Sequence, residues 1–334
     1  MNTPPASAPG IPRVSVLVPS FNSQAFLAAT LESALNQAYR EIEIIVVDDG
    51  STDDSLAVAR GFESRGVRVI GQDNRGQSGA LNIAFDASCG DYLQYLDADD
   101  ILHPEKIGTQ VARLQSADPL AIASGAWTRF RSNLAEAVFM PEPVWRDLSG
   151  VDWLVESWRG GGTMHVAAWL IPRRVAAAAG PWIESRRWAP NIDADFFTRA
   201  LLASSACLFC PEARSYYRAV PGSQSNLRAR RSMEAGFGVV IDTGEALLQM
   251  EDSDRTRAAF ADNLQRFIYG AYPESRDLVS IAEKRVAELG GSTLAPTGGP
   301  VFLAASKWIG WKLARRLRRL AGSASGRPAG SCAR

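Results

Sequence analysis

Four short apolar runs, each followed by an amphipathic stretch, fill the first third of the chain and leave few folds open. The runs are VSVLVPS (14–20), IEIIVVDD (42–49), VRVIGQ (67–72) and DYLQYLD (91–97). Between and after them, QAFLAATLESALNQA, STDDSLAVARGF, GQSGALNIAFDAS and HPEKIGTQVARLQ carry apolar residues at helical spacing. Ser51 and Asp54 stand in the relation of a capping box for the second helix, and Pro104 takes a tolerated first-turn position in the fourth. Strands that are apolar on both faces and alternate with helices predict an α/β fold, a mostly parallel sheet flanked by helices. In such sheets ligands bind beyond the carboxyl ends of the strands. Those ends read PSFN, DDGSTDD and DADD, all polar and two of them acidic.

The last of these is the most demanding. Asp97, Asp99 and Asp100 crowd the end of a buried strand, and carboxylates so close repel one another unless a cation lies between them. Hard divalent ions such as Mg²⁺ and Mn²⁺ take carboxylate oxygens and commonly complete their shell with substrate phosphates. In extended backbone Asp97 and Asp99 point to the same side. A DxD alone is also a common solvated strand end, so its weight depends on what accompanies it.

From about residue 121 to 230 the alternation becomes irregular. MHVAAWLIPRR reads as a strand, NIDADFFTRALLAS as a helix and EARSYYR as a strand, a second half of the same domain. Residues 232–299 read as a helical extension, and GGSTLAPTGGP breaks the chain before a last basic segment. Residues 1–12 and 322–334, rich in Pro, Ala, Ser and Gly, read as a disordered leader and tail. The leader has no apolar signal-peptide core, and no apolar run reaches the ~18 residues that span a bilayer. The four cysteines are therefore expected as thiols in a cytosolic compartment. Cys207 and Cys210 form a lone CxxC without further ligands at zinc spacing and read as core residues. Lysine plus arginine and aspartate plus glutamate each total 36, so nothing global points to nucleic acid.

The ordered set VSVLVPSFN, VVDDGSTDDS, NRGQSGALN, YLQYLDADD and PEK resembles family 2 glycosyltransferases of the GT-A (Rossmann-like) fold, over roughly residues 13–231. The resemblance implies a nucleotide-diphosphate sugar donor, a saccharide or lipid-linked acceptor, a divalent metal (Mg²⁺ or Mn²⁺) and inversion at the anomeric carbon. By it, Pro19 and Phe21 line the base pocket, and Asp49 accepts a hydrogen bond from the base with Asp48 beside it. Asp99 is the direct metal ligand, with Asp97 near the ribose or donor sugar and sharing the metal. Asp100 is a supporting residue or a helix cap, and His103 is a solvated loop residue.

NIDADFFTRA resembles the family's E-D-x-x-hydrophobic-hydrophobic-x-R element. The resemblance makes Asp193 the base that takes the acceptor hydroxyl's proton, although Ile192 replaces the usual acid and Asp195 remains an alternative. YYRAVPGSQSN resembles an element close to the diphosphate, with Arg218, Ser223 and Ser225 present and Val220 in place of its histidine. Arg218 is then a diphosphate clamp or a plain surface arginine. His165 and Trp188 fall where relatives build the acceptor face.

Finally, SKWIGWKLARRLRRLAG carries Lys307, Lys312, Arg315, Arg316, Arg318 and Arg319 and no acid. On one helix over 300–321, Ile309, Leu313, Leu317 and Leu320 share a side. That pattern fits a helix in an anionic membrane interface, at residues 307–320, or one whose leucines pack on protein. The expected role is cell-envelope glycan synthesis by a cytoplasmic enzyme peripheral to the inner face of the plasma membrane. The alternatives are a non-catalytic nucleotide-sugar-binding protein at the membrane and a nucleotidyltransferase. The latter would need a Gly-rich, basic loop after the first strand, where PSFNSQAF supplies neither.

Overall fold

The computed structural model describes residues 10–220 and 229–324, the last four of these by backbone alone. Most of the expected leader and tail, together with Ser223 and Ser225, lie outside them. Two compact units divide the chain at residue 252. The expected boundary at 231/232 falls inside the first unit, just within the helix Arg230–Met250.

In the first unit, β1 (Val14–Ser20), β2 (Ile42–Asp48), β3 (Val67–Gly71) and β4 (Tyr92–Tyr95) follow the apolar runs. Between and after them come α1 (Leu27–Leu35), α2 (Ser55–Arg60), α3 (Gln77–Ala87) and α4 (Lys106–Gln115). The order is β3-β2-β1-β4 with all neighbours parallel, and a two-residue strand closes the edge antiparallel. β1 is buried along its whole length and lies at the centre. Pro19 is tolerated there because β4 pairs only with Val14–Leu17, so no second ladder bond is lost at its nitrogen. Val14, Val16, Val18, Leu27, Leu31, Val46 and Leu96 meet in one buried cluster. Full burial of each such side chain contributes about 1.5–3 kcal/mol.

A second sheet joins β5 (Ile101–Leu102), β6 (Ile122–Phe130) and β8 (Cys207–Arg218) in the order β5-β8-β6. Cys207 and Cys210 are buried free thiols of β8. α5 (Gly150–Trp158), α6 (Arg173–Ala179), α7 (Ile192–Ala203) and α8 (Arg230–Met250) complete the unit.

Two local expectations need correction. MHVAAWLIPRR is not one strand. It forms a 3-10 turn at Val166–Ala168, a two-residue strand β7 (Ile171–Pro172) and the start of α6. An apolar run shows that a segment is buried without fixing its backbone. The expected capping box also fails. The helix begins at Ser55, and Ser51 Oγ donates instead to Asp48 Oδ1 at 2.6 Å.

The second unit contains α9 (Asp254–Ala271), α10 (Arg276–Glu288), α11 (Pro300–Ile309) and α12 (Trp311–Ala324). The single basic helix expected over 300–321 is two helices, broken at Gly310, whose φ of 76° only glycine adopts freely. Trp311 packs edge-on against Tyr269 and Tyr272 at 4.8 and 5.2 Å. Lys312 and Arg319 pair with Glu283 and Glu274. Ile309, Leu313, Leu317 and Leu320 stay exposed, as does Trp308 at 89%.

Candidate active site

The loops after β1 and β2 are laced together. Thr52 N–H donates to Asn22 Oδ1 (2.8 Å), Ser23 N–H to Ser55 Oγ (2.7 Å) and Asp54 N–H to Gln24 Oε1 (2.8 Å). Asp48 closes its own turn, accepting from Ser51 N–H at 3.0 Å and from the Ser51 hydroxyl. Asp49 reaches the start of α3 and accepts from Gln72 Nε2 (2.6 Å), Arg75 N–H (2.7 Å) and Gly76 N–H (2.7 Å). Gly76 can present that N–H because it adopts φ 87°. Both aspartates are buried, whereas Phe21 on the same rim is 46% exposed and Pro19 is buried beneath it.

The end of β4 is built differently. Asp97 accepts from Gln77 Nε2 at 2.9 Å. Asp100 is fully buried and accepts from the Arg218 backbone N–H at 2.8 Å through Oδ1. Its Oδ2 lies 2.7 Å from His165 Nε2. Burial and the charges of Asp100 and Asp99 push the Asp97 carboxyl well up. Burial and Asp100 push Asp99 up to about 6 from its ordinary 3.8. Burial alone would lower the His165 imidazole, but Asp100, with Asp97 and Asp193, outweighs it and the net direction is upward. The cluster is short of positive charge.

Among the described residues, metal-ligating atoms converge at Asp97, Asp100 and His165, all within 4.8 Å of one another. Asp99, the ligand expected from the sequence, is not in that set. Asp100, expected to support or cap, is at its centre. His165, expected at an acceptor face, is 7% exposed and stands against Asp100. Trp188 is half-buried, with the guanidinium groups of Arg187 and Arg231 over its ring at 4.8 and 3.6 Å.

Asp193 opens α7 and is set beside this cluster. Burial raises its carboxyl, while the Ala194 N–H and His165 pull it partly back. Asp195, the alternative base, is 3% exposed and paired with Arg199 at 2.7 Å. Arg199 Nη2 also donates to the Pro181 carbonyl at 3.0 Å, so Asp195 belongs to the packing of α7. Beneath both, Tyr95, Trp182 and Phe196 interlock, Trp182 stacking on Phe196 at 4.4 Å.

Arg218 lies between Phe26 and Phe130, 4.9 and 4.4 Å from the ring centroids, and its Nε donates to the Asp99 carbonyl at 2.7 Å. With Phe26, Arg131, Ser132, Ala219 and Val220 it lines a cavity of about 540 Å³, within the size range of small-molecule sites. His103 lies apart from the cluster, its backbone N–H bonded to the Arg214 carbonyl at 3.1 Å.

Nothing in the sequence places His165 beside Asp100. Gln94, Lys106 and Gln110 are polar residues with 0% exposure. Each bonds a carbonyl of the turn that follows His165.

Residues 15–151 match the model of glycosyl transferase family 2. An uncharacterised glycosyltransferase of Nostoc is 35% identical over 113 residues, 33% of this chain and 35% of the relative. Glycosyltransferase GlyG of Streptococcus pneumoniae is 38% identical over 108 residues, 31% of this chain and 36% of the relative. Chondroitin synthase of Escherichia coli is 37% identical over 99 residues, 29% of this chain and 14% of the relative. The chain thus spans about a third or less of the length of these relatives. Among solved structures, S. aureus TarS in complex with UDP-GlcNAc superposes with a TM-score of 0.59 at 15% identity, covering 92% of both chains. The TarS complex with UDP superposes at 0.55 with the same identity and coverage. Residues 15–151 are thus similar to glycosyl transferase family 2, and the architecture is that of the GT-A fold.

Proposed function

We propose that the chain is a metal-dependent, inverting glycosyltransferase that moves a sugar from a nucleotide-diphosphate sugar to a hydroxyl of a saccharide or lipid-linked acceptor. The observation that carries this reading is the cluster after β4, where carboxylates short of positive charge lie beside Asp193. The residues fit a divalent ion: Asp100 Oδ2 and both ring nitrogens of His165 are buried without a hydrogen bond, and Asp97 adds an oxygen. Mg²⁺ or Mn²⁺ bound there would neutralise charge on the departing nucleoside diphosphate.

The chain's own residues do the rest. Asp49 retains acceptor capacity on Oδ2 for a base N–H, and Phe21 offers an exposed ring above it. Arg218 faces the cavity with a guanidinium suited to phosphate oxygens. Asp193, with its carboxyl shifted toward neutrality and clear of the Arg199 pair that holds Asp195, takes the acceptor proton. The test is a panel of UDP-, GDP- and dTDP-sugars, UDP-GlcNAc first, with Mn²⁺ or Mg²⁺. Turnover that needs the metal and is lost in Asp193→Asn supports the reading, and no turnover or hydrolysis of any donor contradicts it.

We further propose that the second unit rests on anionic lipid at the inner face of the plasma membrane, where cell-envelope glycans begin. No helix among the described residues is long and apolar enough to cross a membrane. The exposed Trp308, Ile309, Leu313, Leu317 and Leu320, accompanied by basic residues, support an interfacial contact. Leu317→Glu with Trp308→Glu should reduce sedimentation with anionic liposomes. Equal sedimentation of variant and parent removes this part of the account.

A further inference from the structure

The acidic end of β4 contains a nitrogen donor that comes from far along the chain. His165 is 7% exposed, and its Nε2 stands 2.7 Å from Asp100 Oδ2. The two atoms are close enough to form an ion pair when the imidazole is protonated, or to be neighbouring ligands of one cation. Nδ1, Nε2 and Asp100 Oδ2 are all buried without a hydrogen-bond partner. Two neighbouring ligands on an ion with bonds of ~2.1 Å lie ~3 Å apart, close to the separation seen.

The imidazole is also mounted. The carbonyls of Ala167, Ala168 and Trp169, just beyond it, accept from Gln94 Nε2 (3.0 Å), Gln110 Nε2 (2.8 Å) and Lys106 Nζ (2.9 Å). All three donors have 0% exposure. Lys106 Nζ also donates to Gln94 Oε1, and burial drives its amine well below the usual range. Donors this costly to bury fix the turn and leave the ring little freedom to turn from Asp100.

We propose that His165 is a ligand of the divalent ion, completing a site of two carboxylates and one imidazole with Asp97 and Asp100, and that its nitrogen makes the site prefer Mn²⁺ over Mg²⁺. Carboxylate and water suit Mg²⁺ and Mn²⁺ alike, but an imidazole favours the transition metal. The inference rests on the glycosyltransferase reading for what the ion does, and on the geometry alone for where it binds.

The experiment is Mn²⁺ titration of the full chain without donor, followed by electron paramagnetic resonance, with pulsed spectra read for nitrogen coupling. The chain has two histidines, so His103→Gln isolates the signal. Wild type and His103→Gln should both bind Mn²⁺ with imidazole coupling and resist displacement by equimolar Mg²⁺. His165→Gln should bind at least ~10-fold more weakly, without coupling and with less discrimination between the ions. Absent Mn²⁺ binding, bound Mn²⁺ without nitrogen coupling in His103→Gln, or unchanged affinity in His165→Gln overturns the proposal. The His103→Gln spectrum decides the matter even if His165→Gln does not fold. Transfer assays on the same preparations separate the two claims: coupled Mn²⁺ without turnover removes the enzyme reading and leaves the ligand. Turnover with uncoupled Mn²⁺ does the reverse.

Discussion

Two parallel strands of the same sheet end in clustered acids, and the two ends behave in opposite ways. After β2, Asp48 and Asp49 are buried and supplied with protein donors: Ser51 serves the first, and Gln72, Arg75 and Gly76 serve the second. After β4, Asp97, Asp99 and Asp100 share few donors, and mutual repulsion in a buried setting raises Asp97 and Asp99. The first end is finished by the chain itself and serves as a frame. The second is short of donors, and in the proposed function a cation completes it. Buried carboxylates mark a functional site when their donors are missing, not merely when they are acidic.

The comparison can be broken at several points. The largest effect is expected at Asp193→Asn: transfer falls by about 10²–10⁴-fold, while donor binding by calorimetry and the melting temperature stay near the parent's. A loss of donor binding of the same size would make Asp193 part of the binding site rather than the base. Next is Asp49→Ala, which strands the N–H groups of Arg75 and Gly76. Denaturant unfolding should show about 2–4 kcal/mol of lost stability. A variant as stable as the parent would mean that the β2 end is not the frame described.

Asp99→Asn should act in the opposite direction, raising the melting temperature of metal-free protein. The sign follows from linkage. A carboxyl raised from 3.8 to about 6 in the folded state binds more protons there than in the unfolded chain. Stability therefore falls as pH rises from the unfolded value through the folded one. Metal-free protein should lose melting temperature between about pH 4 and 6, and Asp99→Asn should flatten that slope. An unchanged slope would assign the loss to Asp97 or to groups elsewhere.

Much of this contrast was legible from residues alone. The four parallel strands follow from β-branched runs buried on both faces, and the acids at their ends mark the ligand side of the sheet. The spacing of Asp193 from Phe196, Phe197 and Arg199 is visible in the sequence, whereas the pairing of Asp195 with Arg199 is visible only in the fold. What could not be read is which acids have donors. Asp48 and Asp97 look alike in sequence, and their difference lies in loops that meet only after folding. His165 joins a cluster 65 residues away through a turn whose apolar sequence resembles a strand. The polar residues holding that turn, Gln94, Lys106 and Gln110, sit on β4 and α4, where each alone looks like an ordinary surface position. The break at Gly310 was hidden because the basic and apolar periodicity runs through it.

The most direct measurement is thermal melting near neutral pH with increasing Mn²⁺, on the parent and on Asp97→Asn/Asp100→Asn. A ligand that binds only the folded state raises the melting temperature with its concentration. The account predicts a concentration-dependent rise in the parent and none in the double variant. Equal rises in both, or none in the parent, would show that the acids after β4 do not hold the cation on which the proposed chemistry depends.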